Sequence, residues 1–305
     1  MIAEAQDVLL VTAPGRWHAA RGVASDYVSL TKPRIMLLLL ITEVTAMITA
    51  ARGWPGLSLS LAGLLGGALS AGGASAINCW FDRDIDAVMA RTCTRPVPSG
   101  RIKPAHALAF GISLCAAGFI VLAAATNLLA ATLALTGGLF YVLVYTVWLK
   151  RSTRQNIVIG GAAGAFPPLV GWAAVTGSLS PLAVALFAVV FFWTPPHFWS
   201  LALLLRRQYR AVQVPMLPVV AGEPSTRRAI VVYSAILLGV SLIPALWLGP
   251  FYGSAALLLG GAMLFMAIRV VSTEGRTWAS RLFHFSLAYL ALVFLAAAIA
   301  ASLPH

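Results

Sequence analysis

Residues 57–86 read LSLSLAGLLGGALSAGGASAINCWFDRDID. The part from 57 to 79 carries no charged residue and is long enough to cross a bilayer as a helix, which needs about 20 apolar residues. Directly after it, three acids fall within five positions, although the whole chain has only 9 aspartates and glutamates. This pattern predicts a membrane helix that ends in a polar cluster where the chain leaves the bilayer.

The composition of the whole chain is that of a protein with many membrane helices. Of its 305 residues, 60% are hydrophobic and 10% are charged, and the mean hydropathy is +0.89. Soluble globular domains are about 25% charged. We therefore predict an all-α polytopic membrane protein with nine transmembrane helices. Their predicted ranges are 33–52, 57–79, 104–124, 128–148, 156–176, 181–204, 229–248, 252–271 and 282–302.

The positions of the basic residues predict the orientation of these spans. The net charge is +12, and every lysine and arginine except Arg52 lies before or at the start of span one, at the end of span eight, or in the connections after spans two, four, six and eight. By the positive-inside rule, the N-terminus and these connections are cytoplasmic, and residues 302–305 are external. The basic excess is thus a topology signal and does not indicate nucleic acid as a partner. We expect a cytoplasmic tail at 1–26 and a single nine-helix domain at 27–305.

Glycines and prolines predict how the spans pack. Glycines in spans two and five allow neighbouring helices to approach closely. The proline pairs 167–168 and 195–196 predict that spans five and six are broken or kinked, because proline removes a helical hydrogen bond. Glu43 in span one is expected to face the bundle interior, since a charge facing lipid is costly. The glycines are Gly66, Gly67, Gly72, Gly73, Gly160, Gly161 and Gly164.

The polar cluster after span two has the residue types of a magnesium site. If the helix continues past Trp80, then Asn78, Asp82 and Asp86 lie along one face, at spacings of four residues, and Asp84 points elsewhere. Carboxylate and amide oxygens suit Mg²⁺, which takes its remaining ligands from water and phosphate. We expect these three side chains to bind Mg²⁺ and to form the catalytic centre.

Arginines in the same connection suit a phosphate ligand. Arg91 and Arg95 follow the acids, and a guanidinium binds phosphate through two parallel hydrogen bonds. A substrate with a diphosphate head and a hydrocarbon tail would match both the polar cluster and the apolar interior. A salt-bridge network between the acids and arginines at the membrane surface explains the same spacing, and the spacing alone does not separate the two interpretations.

The chain also resembles a known family. The pattern Asn78-xxx-Asp-xxx-Asp86 with the downstream arginines resembles the first aspartate-rich motif of the UbiA-type intramembrane prenyltransferases. Further stretches resemble the branch of that family that farnesylates haem B, in the expected order and over nearly the whole chain. They are LTKPRI at 30–35, YT at 145–146, LKR at 149–151, NIVIGG at 156–161, PP at 167–168, PPHFW at 195–199 and VPMLPV at 214–219.

The resemblance implies a UbiA-type bundle of nine helices around a cavity for farnesyl diphosphate and haem B. It implies a prenyltransferase that makes haem O and releases diphosphate with the help of Mg²⁺, in the bacterial cytoplasmic membrane, for haem-copper oxidase assembly. Haem A synthase or a terminal oxidase would be its partners. The residues expected to bind substrate are Arg91, Arg95, Lys150, Arg151, His197, Arg207 and Tyr209.

One position departs from the family pattern. The family usually carries an aspartate directly before the tyrosine of a second acidic motif, whereas Gln208 precedes Tyr209 here. This departure puts a second protein-held Mg²⁺ in doubt. Our hypothesis is that Arg206, Arg207 or Arg210 contacts the diphosphate directly in its place.

Three other functions remain open on the sequence. A UbiA-type prenyltransferase with another aromatic or tetrapyrrole acceptor would use the same acids. A transporter would use acids and broken helices for coupling and would release no diphosphate. A haem-handling protein without activity would bind haem and leave it unalkylated.

Overall fold

The computed structural model describes residues 16–273 and 275–303, and for residues 16–21 it describes the backbone alone. The first part of the predicted tail, residues 1–15, and the last two residues of the predicted external end lie outside these ranges. A helix, Arg16–Leu30, runs across the predicted boundary between tail and domain. Within the described residues the chain is helical and contains no strand.

Nine of the described helical segments are long and apolar enough to cross a membrane, as predicted. Four shorter helices, Arg16–Leu30, Arg83–Val88, Arg206–Ala211 and Leu217–Val220, connect or precede them. Spans one to nine are Pro33–Ala51, Leu57–Phe81, Pro104–Ala125, Leu128–Ser152, Asn156–Thr176, Pro181–Leu204, Gly222–Leu242, Ala245–Ser272 and Thr277–Ser302.

Spans seven and eight begin about seven residues before their predicted starts at 229 and 252. The first two turns of span seven are polar, so hydropathy missed them, although Thr226 donates a side-chain hydrogen bond to the Gly222 carbonyl in the first turn. Pro244 then separates the two spans. Span eight also bends at Gly249, whose φ of 76° lies outside the helical region, directly before Pro250.

Spans two and three approach each other closely at small residues. A Cβ added at Gly73 would lie 2.6 Å from the carbonyl oxygen of Gly111, and one at Gly118 would lie 2.8 Å from the amide of Ser70. Backbone atoms cannot move aside as side-chain tips do. The close-approach prediction is confirmed for the glycines of span two and for Gly160 and Gly161. It is wrong for Gly164, which has no described atom within 4 Å of its Cβ position.

This difference between glycines gives a prediction on stability. Gly73→Ala should destabilise the protein by about 1–3 kcal/mol, because the added methyl group overpacks a backbone contact. Gly164→Ala is the matched control, since it adds a methyl group to open space in a helix and should be neutral or slightly stabilising. Thermal unfolding of both variants in the same detergent measures the difference. Equal unfolding temperatures would contradict the close contact between spans two and three.

The two proline pairs do not interrupt the helices at the predicted places. Span six continues through Pro195 and Pro196 to Leu204, and Ser200 donates to the Pro196 carbonyl at 2.6 Å. Span five is divided at Gly161, six residues before its first proline. Membrane bundles permit prolines inside a helix where the freed carbonyls face protein.

The connections rich in lysine and arginine meet at one end of the bundle, which we call the basic end. The connection between spans two and three contacts that between spans six and seven through Arg91 and Tyr209. Arg276, between spans eight and nine, donates to the Leu204 carbonyl at the end of span six. Glu43 lies deep in the bundle, as expected, and is 2% exposed beside span two. The predicted cytoplasmic orientation of the basic end stays a prediction.

Candidate diphosphate and metal site

The acidic cluster lies at a helix junction at the basic end. Span two ends at Phe81, and the helix Arg83–Val88 begins directly after Asp82. Backbone hydrogen bonds between residues four apart continue across this junction. The Asp82 amide donates to the Asn78 carbonyl at 2.9 Å and the Asp86 amide to the Asp82 carbonyl at 2.8 Å. Asn78, Asp82 and Asp86 are 3%, 1% and 4% exposed. All three side chains are thus buried, whereas the Asp84 side chain is 61% exposed.

Asn78 and Asp82 form the centre of a buried polar network. The Asn78 amide nitrogen donates to Asp82 Oδ2 at 2.7 Å and to Thr146 Oγ1 at 3.0 Å. Its amide oxygen accepts from Lys32 Nζ at 2.6 Å. Lys150 Nζ donates to the same Asp82 Oδ2 at 2.5 Å. Spans one, two and four are thus joined through one amide and one carboxylate.

Asp86 and Asp84 each have an arginine of their own. Arg95 Nη1 lies 2.7 Å from Asp86 Oδ2. Arg151 holds Asp84 through two hydrogen bonds of 2.7 Å and also lies 3.5 Å from Asp82 Oδ1. The hydrogen bonds from Arg151 lower the pKa of Asp84 to about 2. The salt-bridge network that the sequence left open is therefore present, and it surrounds the predicted site residues with positive charge.

The second half of span four contributes side chains to this network. Residues Phe140–Leu149 form a π-helix, in which Thr146 Oγ1 donates to the carbonyl of Tyr141, five residues earlier. The wider turn places Thr146 next to Asn78 and Lys150 next to Asp82. Tyr141 and Tyr145 stack with ring centroids 5.6 Å apart. π-helical turns are rare and are found at functional sites. The one sequence signal for Thr146 was the YT stretch of the family resemblance, and no pattern indicated the π-helical turn.

Lys32 is a second residue that sequence reasoning did not place in the site. It precedes span one with φ 55° and ψ 60°, a left-handed conformation that is uncommon for lysine. Strained backbone of this kind is kept where the surroundings hold it, as at binding sites. The contact of Lys32 Nζ with Asn78 joins residues 46 positions apart. Its one sequence signal was the LTKPRI stretch of the family resemblance.

Arg91 and Tyr209 bridge the two long connections above the network. Arg91 Nη2 donates to the Tyr209 hydroxyl at 3.1 Å, and its guanidinium carbon lies 5.7 Å from the ring centroid. Tyr209 is buried against Ile85 and Met89. Burial raises the pKa of Tyr209, so its hydroxyl stays neutral at physiological pH. Both predicted residues thus lie next to the acidic cluster.

Two predicted substrate-binding residues lie elsewhere. His197 is buried, with Nδ1 2.6 Å from Ser286 Oγ and its ring stacked between Trp193 and Phe283 at 4.3 and 4.8 Å. Arg207 lines a separate cleft near the end of span six. Neither side chain contacts Asn78, Asp82 or Asp86 in the described structure. A role of either residue in binding substrate therefore has to be argued separately from the acidic cluster.

The residues of the network fit a divalent cation that shares its ligands with a diphosphate. Asp82 Oδ1 is buried and has no hydrogen-bond partner among the described residues. No group of three His, Cys, Asp or Glu in the described ranges could hold a metal by itself. Two carboxylates and one amide oxygen leave several positions to phosphate and water, which is the usual environment of Mg²⁺.

A family model matches most of the chain. The model, described as "UbiA prenyltransferase family", matches residues 39–302, which include spans two to nine and the acidic cluster. The chain belongs to the UbiA prenyltransferase family. It is a multi-pass membrane protein with nine candidate spans in its described part.

Curated relatives carry one name. A protein named Protoheme IX farnesyltransferase from Symbiobacterium thermophilum is 53% identical over 279 residues, 90% of this chain and 93% of that protein. The protein of the same name from Gloeobacter violaceus is 50% identical over 294 residues, 95% and 96% of the two chains. The chain spans about half the length of other relatives, such as that of a Roseiflexus species, which is 52% identical and of which it covers 52%.

Solved structures of low identity share the fold. The structure described as digeranylgeranylglyceryl phosphate synthase has a TM-score of 0.76 at 19% identity and covers 92% of this chain and 99% of that one. A UbiA homolog from Archaeoglobus fulgidus, bound to GPP and Mg²⁺, has a TM-score of 0.65 at 18% identity over 89% and 99%. At these identities the likeness establishes the fold alone.

Proposed function

We propose that the chain transfers the farnesyl group of farnesyl diphosphate to a vinyl group of haem B, which yields haem O and diphosphate. In this reaction the bond between farnesyl C1 and the diphosphate oxygen breaks, C1 joins the terminal vinyl carbon, and water supplies the hydroxyl of the new side chain. The observation that carries the proposal is the buried acidic cluster with its surrounding cations, in a chain half identical to relatives named for this activity.

The diphosphate end of the substrate would bind at the acidic cluster. Asn78, Asp82 and Asp86 would hold Mg²⁺ at this place, and the bound ion would supply positive charge to the departing diphosphate. Lys32, Lys150 and Arg95 already donate to oxygens of these three side chains, and Arg151 lies 3.5 Å from Asp82 Oδ1. When the diphosphate enters, these cations can exchange protein oxygens for phosphate oxygens without leaving the site. Such fixed positive groups stabilise the leaving group as its charge grows.

The haem end would use His197. When the hydroxyl of Ser286 donates its single proton to the Phe283 carbonyl, 2.7 Å away, His197 Nδ1 carries the proton of its 2.6 Å contact with Ser286 Oγ. This arrangement leaves Nε2 with a free lone pair. A neutral imidazole nitrogen of this kind is a ligand for haem iron. The stacked Trp193 and Phe283 rings hold the imidazole in place.

The cellular setting follows from the same proposal. The basic end would face the cytoplasm, which is where the positive-inside rule places it and where a soluble diphosphate would leave. We propose the bacterial cytoplasmic membrane as the location, and haem A synthase or the assembly of a terminal oxidase as the consumer of the product.

The test is the conversion of haem by the purified chain in lipid nanodiscs. Haem B, farnesyl diphosphate and Mg²⁺ should give a product with the mass of haem O and an equal amount of diphosphate, measured by liquid chromatography and mass spectrometry. Asp82→Ala should give neither. Diphosphate release with no new haem, but with an alkylated aromatic or tetrapyrrole added in its place, would favour another acceptor. Flux of a solute without diphosphate release would contradict a transferase.

A further inference from the structure

A cleft rich in arginine lies beside the proposed active site at the basic end. It has a volume of about 750 Å³ and is formed by the ends of spans six, seven and nine and the helix Arg206–Ala211. Volumes of this size are typical of ligand pockets. We call it the arginine cleft, and its charged and amide members are Arg206, Arg207, Gln208, Arg210, Glu223, Arg227 and Arg276.

The arginine cleft is separate from the acidic cluster. The short helix Arg206–Ala211 divides them, since Tyr209 on one side contacts Arg91, whereas Arg207 and Arg210 line the cleft on the other. None of Asn78, Asp82 and Asp86 lines the cleft. We propose that the cleft binds the headgroup of an anionic phospholipid, a ligand other than the diphosphate that the acidic cluster would hold.

The cleft carries positive charge that its described residues do not balance. Glu223 is the one acid among its described lining residues, and its two oxygens are taken by Arg206 at 3.1 Å and Arg227 at 3.4 Å. Within residues 16–273 and 275–303, no carboxylate pairs with Arg207 or Arg210. Glu274, in the neighbouring connection, lies outside the described ranges. Basic pockets between membrane helices bind anionic lipid headgroups.

Two buried polar atoms point to a ligand with both acceptors and donors. Arg206 Nε and Gln208 Oε1 are buried and lack hydrogen-bond partners among the described residues. An unpaired buried polar atom costs free energy, so a ligand that satisfies it gains affinity. Phosphate oxygens would accept from Arg206, and a glycerol hydroxyl would donate to Gln208. Phosphatidylglycerol carries both groups.

Neighbouring residues place the cleft at the depth of the lipid headgroups. Trp278, next to the lining residue Ala279, lies between the guanidinium groups of Arg269 and Arg281, at 5.1 and 4.8 Å. Tryptophan and arginine together are typical of the membrane interface. Leucines 203–205 line the same cleft and offer an apolar surface to the first carbons of the acyl chains.

The test compares two variants that lose the same charge. Arg207→Gln/Arg210→Gln removes the unpaired arginines, and Arg34→Gln/Lys103→Gln removes two exposed basic residues elsewhere at the basic end. The full chain is delipidated in detergent and titrated with phosphatidylglycerol, phosphatidylcholine or inorganic diphosphate, and binding is followed by native mass spectrometry and thermal unfolding. Two cations worth about 1 kcal/mol each predict about 30-fold weaker phosphatidylglycerol binding in the first variant.

Each arm has a defined outcome. The proposal expects phosphatidylglycerol to bind and stabilise the unmodified chain and the control variant, and phosphatidylcholine and diphosphate to do so far less. Equal phosphatidylglycerol binding by the two variants would overturn it. So would diphosphate that displaces the lipid at equal concentration, which would make the cleft a site for soluble anions. A raised KM for farnesyl diphosphate with lipid binding intact would assign Arg207 and Arg210 to the transfer reaction instead.

Discussion

Asp82→Asn is expected to lower kcat for farnesyl transfer by at least about 10²–10³-fold, the scale seen when one preorganised electrostatic contact to a developing charge is removed. Asp82 is 1% exposed, holds Lys150 and Asn78 through Oδ2, and keeps Oδ1 without a hydrogen-bond partner among the described residues. Asparagine keeps the size of the side chain and removes its charge. Steady-state formation of haem O by the purified variant measures the effect.

Asp84→Asn is the matched control for this substitution. It removes the same charge two residues away, from a side chain that is 61% exposed and paired with Arg151 outside the buried network. We expect this variant to keep most of its activity. Equal losses in the two variants would mean that the local charge alone matters, and would remove the special role of Asp82.

Lys150→Gln should lower kcat/KM for farnesyl diphosphate by about 10²-fold, mainly because the departing diphosphate loses a fixed positive group. Lys150 Nζ touches the carboxylate that is expected to hold the metal, and the π-helix of span four holds it there. Arg151 and Asn78 remain beside Asp82, so the fold should persist. The measurement is the dependence of the rate on farnesyl diphosphate concentration.

Lys103→Gln is the control, since Lys103 is an exposed basic residue at the same end of the bundle. It should leave the kinetic constants unchanged. If Lys150→Gln shifts only the thermal unfolding temperature and not kcat/KM, Lys150 serves as a structural partner of Asp82 and has no part in binding the diphosphate.

The membrane architecture could be predicted from sequence because it depends on local properties. Runs of apolar residues give the spans, and the four-residue spacing of Asn78, Asp82 and Asp86 gives a common face on any continuing helix. The start of span seven was placed wrongly because polar turns extend the helix before its apolar part, and that of span eight because the apolar run continues across Pro244, where the two helices are separated. Pro195 and Pro196 were expected to break or kink span six, and the helix continues through them without a break.

The cations of the site could not be derived from spacing. Lys32 and Lys150 reach Asn78 and Asp82 across 46 and 68 positions, and such contacts depend on how spans one, two and four are arranged. The π-helix that aims Thr146 has no known composition signal in this chain. Arg207 was grouped with Tyr209 by sequence, whereas the short helix that carries both turns them to opposite sides.

The most direct test of the proposed site is to locate a divalent cation in crystals. Crystals grown with Mn²⁺ and a non-hydrolysable farnesyl thiodiphosphate should show an anomalous scattering peak within about 2.5 Å of carboxylate oxygens of Asp82 and Asp86, with diphosphate oxygens against Lys32 and Lys150. A diphosphate bound in the arginine cleft, or a metal peak distant from both aspartates, would contradict the proposed active site.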